Sequence, residues 1–179
     1  MIKPIVPAKL RQGHKSGVIF RTFPGAKTEH MKHYLQPTLN AKPTHLIVHV
    51  GANDLDGKSP EEIVQNISEL EKAAIEQVPG LKLSKSEIIT RPDREDNDLK
   101  VQQVNRLVES TCYLQSWELI KHSNINRSHL NQGGLHLNRR GTIVLAQNLK
   151  HFIKTYELLT DWELNTKARY NTKFASLSV

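Results

Sequence analysis

The stretch His45-Leu46-Ile47-Val48-His49-Val50 runs directly into Gly51-Ala52-Asn53-Asp54-Leu55, and its reading decides the fold. The first six residues are nearly all apolar or β-branched, where a strand with one wet face would alternate. Such a run is how a strand buried on both faces of a parallel sheet reads. Gly51 ends it and lets the backbone turn sharply. Ligands in parallel α/β sheets bind outside the carboxyl ends of the strands. The residues after Val50 therefore stand where chemistry is expected.

Working outward, Val18–Phe23 is a second β-prone run, closed by the turn signal Pro24-Gly25. Leu83–Thr90 is a third, stopped by Arg91-Pro92, and Trp117–Ile125 a fourth. Between them lie helices. Ser59-Pro60-Glu61-Glu62 supplies a capping serine, a first-turn proline and a glutamate at the third helical position. Ile63, Ile67, Leu70 and Ala74 then recur at helical spacing until Pro79-Gly80. From about Asn97, the residues Val101, Val104, Val108 and Cys112 mark the inner face of another helix. A last helix opens near Asn138 and presents Leu145, Leu149, Phe152 and Tyr156. After about Thr160 this periodicity fades, so residues 159–179 are expected to form a polar, poorly ordered basic tail behind a domain of residues 1–158. Alternating strands and helices predict a three-layer α/β/α architecture around a parallel sheet.

With 37% hydrophobic residues in 179, the chain suits one domain with a real core. No apolar run approaches the roughly 18 residues of a membrane span. Met1-Ile2-Lys3-Pro4 lacks the pattern of a secretory signal. The single cysteine, Cys112, has no partner for an internal disulfide and reads as a small buried hydrophobe. These features together point to a cytoplasmic or nuclear protein. The net charge of +7 allows weak nucleic-acid binding by counterion release. The charges are spread out, however, densest at Arg139-Arg140 and at Lys167, Arg169 and Lys173, and read more simply as solvated surface.

Three places carry chemistry. The Asn53 amide, projecting past the strand end, can stabilise a developing oxyanion, although Gly, Asn and Asp also form plain turns. Gly25 permits close approach of a backbone N–H to a ligand, or simply makes a turn. His136, in Gly133-Gly134-Leu135-His136-Leu137-Asn138 before the last helix, can swing over the strand ends as a general base. It is also one of nine histidines, most of which need no such role. His30 and His33 share a helix face but lack a third metal ligand, and His45 and His49 read as packing residues. No phosphate loop or CxxC pair appears, so neither a cofactor nor a metal is expected.

In this order, Phe23-Pro24-Gly25-Ala26, His49-Val50-Gly51-Ala52-Asn53-Asp54-Leu55 and Gly133-Gly134-Leu135-His136-Leu137-Asn138-Arg139-Arg140-Gly141 resemble the SGNH (GDSL-type) hydrolases. More narrowly, the wording is similar to the esterase-like domains of some retroelement-related proteins, over residues 1–158. The resemblance implies a flavodoxin-like fold that hydrolyses acyl esters through a serine in a Gly-Asp-Ser block after the first strand. It also implies that Gly25 and Asn53 form the oxyanion hole and that His136 activates the serine.

The same resemblance exposes two departures. The chain contains no Gly-Asp-Ser block. Met1-Ile2-Lys3 is similar to the start of the helix that succeeds this block in the family, so the expected serine precedes Met1 by one residue. Gly133 stands where the family has the aspartate that orients its histidine. Ser16, Ser123 and Ser128 are the candidate substitutes for the nucleophile, none placed after a first strand. The expectation is therefore an inactive chain as written, with a small ester as substrate only if a serine is supplied. The alternative is a non-catalytic interaction or nucleic-acid-associated module. The missing strand is also the central one. Five side chains at about 1.5–3 kcal/mol each contribute on the order of 10 kcal/mol, comparable to the whole net stability of a domain.

Overall fold

Ser59 Oγ accepts a hydrogen bond from the Glu62 amide at 3.2 Å, while the Glu62 carboxylate accepts one from the Ser59 amide at 2.7 Å. This reciprocal cap satisfies two donors that a helix start otherwise leaves open, and the helix Pro60–Gln77 begins where the sequence predicts. The computed structural model describes residues 17–175, with side chains through residue 160. In chain order the elements are α1 (Thr28–Tyr34), α2 (Gln36–Leu39), β1 (His45–Val48), α3 (Pro60–Gln77), β2 (Lys82–Ser86), α4 (Asn97–Gln115), β3 (Glu118–Ile120), a 3₁₀ turn (Arg127–His129) and α5 (Arg139–Ala175).

The strands form a parallel sheet in the order β1-β2-β3, with His45 opposite Lys82 and Ser84 opposite Glu118. Successive side chains of a strand point to opposite faces, and the core divides accordingly. Leu46 and Val48 pack with Leu35, Leu39, Leu70 and Ala74 from α1–α3. Ile47 and Ile120 face Leu145 and Leu149 of α5 on the other side. Between α3 and α4, Ile63 and Ile67 meet Val101, Val104, Val108 and Cys112. Burial pushes the Cys112 thiol up to about 11, which suits an inert core residue. Helices thus cover both faces, as the α/β reading requires.

One inward position of β2 carries a charge that sequence reading missed. Lys85, 2% exposed, points its Nζ to within 2.8 Å of Glu71 on α3 and lies 4.9 Å over the Trp117 ring. A charge enclosed this deeply persists only when paired.

Several expected boundaries need correction. The run 83–90 pairs only to Ser86, because the Asn105 side chain of α4 then takes over the backbone. It accepts from the Ile88 N–H at 2.9 Å and donates to the Ile88 carbonyl at 2.8 Å. The run 117–125 shortens to Glu118–Ile120, after which the His122 N–H turns to the Glu87 carboxylate at 2.8 Å. The last helix does not stop near Thr160. Its backbone is helical to Ala175, crossing the expected boundary at residue 158, since no glycine or proline comes after Gly141 to break it.

Residues 18–23, expected as a strand, form none and have no ladder partner among the described residues. Among the described residues, β1 likewise pairs on one edge only, with β2. A natural edge strand is guarded by proline, lysine or a bulge. The run His45–Val48 has none of these, so its free edge is built like the edge of an interior strand.

Candidate active site

A cavity of about 930 Å³ lies along the free edge of β1 up to its carboxyl end. Residues 17–26 line one wall and residues 43–53 the other. From α5, Leu145, Leu149, Phe152, Ile153 and Tyr156 form an apolar wall. Gly25, Asn53, Arg91 and His136 line the same cavity.

Gly25 sits in the turn after residues 18–23 with φ +75°, a left-handed conformation suited to glycine. The Ala26 N–H closes that turn onto the Phe23 carbonyl at 3.1 Å. Asn53 Nδ2 donates to the Ala26 carbonyl at 2.8 Å, joining the two expected oxyanion donors through one residue. An amide nitrogen carries two N–H groups, so this contact orients the side chain while a second donor remains for a ligand.

The residue after Asn53 explains why the two loops meet. Asp54, fully buried, accepts from the Thr28 N–H, the Thr28 hydroxyl and Lys58 Nζ at 3.0, 2.8 and 2.9 Å. Its carboxylate caps the start of α1 and fixes the Gly25 turn beside the Asn53 loop. In the sequence, Gly51-x-Asn53-Asp54 shows the motif, but only the structure separates its facing amide from its anchoring carboxylate.

His136 is partly buried in a loop held by Asn131. The His136 carbonyl accepts from the Asn131 N–H at 2.7 Å, the Asn131 side chain accepts from the His136 N–H at 3.2 Å, and Leu130 bridges Leu137. Burial, reinforced by nearby positive charge including Arg91, holds its imidazole below the ordinary histidine range, while Asp93 pulls the other way. The shift favours the neutral ring, the form a general base requires.

The structure places other candidates elsewhere. Ser123 and Ser128 are exposed and do not line the cavity, and Ser128 Oγ donates to Asn126 at 2.8 Å. Ser16 lies outside the described residues. His30 and His33 are exposed around Tyr34, and among the described residues no three His, Cys, Asp or Glu side chains converge as metal ligands would.

A hydrogen-bonded row on the α5 face of the sheet is a feature that sequence reading missed. Ser86 Oγ lies 2.9 Å from His49 Nδ1 and 2.7 Å from His122 Nε2, and His122 Nδ1 lies 3.0 Å from the Asn148 side-chain amide nitrogen. His45 Nε2 pairs with Ser84 Oγ at 2.7 Å. The period-two patterns His45-x-x-x-His49 and Ser84-x-Ser86 were the available signal. Ser86 and His122 are 5% and 4% exposed and neither lines the cavity, so this serine–histidine contact is a core network rather than a nucleophile's setting.

Among solved structures, the chain is similar to a GDSL-like lipase from Bacteroides thetaiotaomicron VPI-5482, with a TM-score of 0.66 and 15% identity over 76% of this chain and 75% of that one. It is also similar to a carbohydrate esterase family 3 protein from Talaromyces cellulolyticus, with a TM-score of 0.62 and 17% identity over 76% and 70%. A lipase/acylhydrolase from Enterococcus faecalis gives a TM-score of 0.60 and 19% identity over 74% and 72%. No family model and no curated protein matches the sequence. The fold is that of the GDSL-like hydrolases, a parallel α/β sheet with helices packed on it. Among the described residues, no helix is long and apolar enough to cross a membrane.

Proposed function

We propose that this is an SGNH-type acyl-ester hydrolase domain whose nucleophilic serine comes from a segment seated along the free edge of β1, and that residues 1–179 alone do not hydrolyse esters. The observation that supports this reading is that Gly25, Asn53 and His136 line one cavity, which also takes in the carboxyl end of β1. A strand seated parallel to β1 ends on the same side, next to Asn53. A serine there attacks the ester carbonyl while His136 takes its proton. The Gly25 N–H and the Asn53 amide receive the oxyanion, at about 2.7–4 kcal/mol per donor. Collapse expels the alcohol, which takes the proton back from His136, and water then releases the acid by the same route. The apolar wall from α5 suits a small ester with a hydrocarbon acyl group.

The test places a five-residue apolar strand and Gly-Asp-Ser directly ahead of Met1 and measures p-nitrophenyl acetate hydrolysis. The extended protein is expected to turn over. Activity should vanish in His136→Ala and fall about 10²–10³-fold in Asn53→Ala. The unextended chain should be inert. A folded, extended protein without hydrolysis overturns the reading.

A further inference from the structure

We propose that Arg91 and Asp93 form the positioning pair of this site, supplying from the loop after β2 the orientation and charge balance that no residue supplies at position 133. The inference rests on reading His136 as the base.

Arg91 is nearly enclosed, with 8% of its side chain exposed, and it lines the cavity. Its Nε and Nη2 donate to the two Asp93 carboxylate oxygens at 3.1 and 2.7 Å, a two-point contact that fixes both planes. Its Nη1 donates to the Ala52 carbonyl, one residue before Asn53. One guanidinium therefore spans the Asn53 loop and the Pro92-Asp93 loop. That second loop supports the histidine loop in turn. A Cβ added at Gly134, where φ is +70°, would lie 3.2 Å from the Asp93 nitrogen and 3.3 Å from the Pro92 carbonyl carbon. The backbones are in contact two residues before His136, and only glycine fits. Loop spacing from Asn53 to His136 thus passes through Arg91.

The charges act in the same place. Arg91 holds the Asp93 carboxyl below its ordinary range, so the carboxylate stays ionised. Among the described residues, Arg91 and Asp93 are the charges felt by His136, the first disfavouring its proton and the second favouring it. When His136 takes a proton, Asp93 stabilises the imidazolium while also cancelling the adjacent guanidinium. This is the electrostatic share of a triad carboxylate's work, done by a residue far from His136 in sequence.

The experiment is an NMR titration of the His136 imidazole in the chain as it stands, with folding checked by circular dichroism. Asp93→Asn should lower the His136 midpoint, since Arg91 then keeps only the Asp56 carboxylate, 3.9 Å from its Nη2. Arg91→Gln should raise it, since Asp93 is then unopposed. Opposite signs are the mark of a charge pair, because loosened loops alone would move both variants the same way. If Asp93→Asn does not fold, the sign in Arg91→Gln decides. A midpoint unchanged in folded Arg91→Gln, or displaced in the same direction in both variants, overturns the proposal. The readout needs no turnover, so failure of the charge pair at His136 and absence of ester hydrolysis in the extended protein are told apart.

Discussion

The Asp54 carboxylate binds Thr28 twice, accepting from its backbone N–H at 3.0 Å and from its hydroxyl at 2.8 Å. Twenty-six residues separate the two, so this contact rather than chain connectivity sets the Gly25 turn against the Asn53 loop. Asp54→Ala strands a buried N–H and a hydroxyl proton, while the Lys58 ammonium keeps the Glu29 carboxylate at 3.2 Å. Hydrogen bonds to charged groups contribute about 1.5–3 kcal/mol each, partly offset here by solvent reaching Lys58. The expected loss is on the order of 3 kcal/mol in urea unfolding. Asp54→Asn should recover part of it.

Lys85 and Glu71 predict a sign reversal between single and double substitution. Burial raises the Glu71 carboxyl to about 7, with Lys85 opposing the rise. Lys85→Met leaves that carboxylate unpaired, which costs about 3–5 kcal/mol. The penalty should shrink as pH falls and Glu71 protonates, because a carboxyl with a raised folded pKa is relieved below it. Lys85→Met combined with Glu71→Leu should restore most of the stability, since well-packed apolar groups replace a buried pair at little cost. Chemical denaturation at pH 8 and pH 6 checks both effects.

His122 gives stability an acid limb. Burial first, and His49 second, hold its imidazole down to about 3, and burial holds that of His49 down to about 4. Both rings stay neutral in the folded chain while the unfolded chain protonates near 6.5. Their contribution is therefore full above about pH 6.5 and is lost as pH falls toward the folded values. The loss runs at about 1.4 kcal/mol per pH unit for each ring. His122→Gln removes one of these contributions, so the stability gap between wild type and variant should narrow steadily from about pH 7 to about pH 4.5. A constant gap across that range would show that His122 takes up its proton alike in the folded and unfolded chain.

The free edge of β1 predicts an exchange pattern. Alternate amides of His45–Val48 face β2 and the cavity. Those facing the cavity should exchange with deuterium much faster than their neighbours. Seating a strand in the serine-extended protein should slow those same amides and raise the melting temperature. Uniform protection in the unextended chain would contradict an open edge.

Much of this molecule was legible in the sequence where the controlling physics is local. The Ser59 cap and the apolar spacing of α3 and α4 each depend on residues within a turn or two, and both stand in the structure, whereas the run 45–50 shortens to His45–Val48 and buries only Leu46 and Val48 fully. Strand lengths were less legible, because Asn105 and Glu87 end the ladders from distant positions. The end of α5 was misjudged because fading apolar periodicity does not stop a helix that contains no breaker.

By itself, the sequence determined the α/β class, the chain order of Gly25, Asn53 and His136 and the absence of a Gly-Asp-Ser block. These rest on periodicity, turn chemistry and motif spacing. Only the tertiary structure decided that the three residues share one cavity, that Asp54 anchors while Asn53 faces the site, that Ser86 is enclosed beside two histidines, and that Arg91 ties the amide loop to the histidine loop. Each of those facts is a contact between segments far apart in the chain, 26 residues in the case of Thr28 and Asp54, and such contacts leave no periodic trace in the sequence.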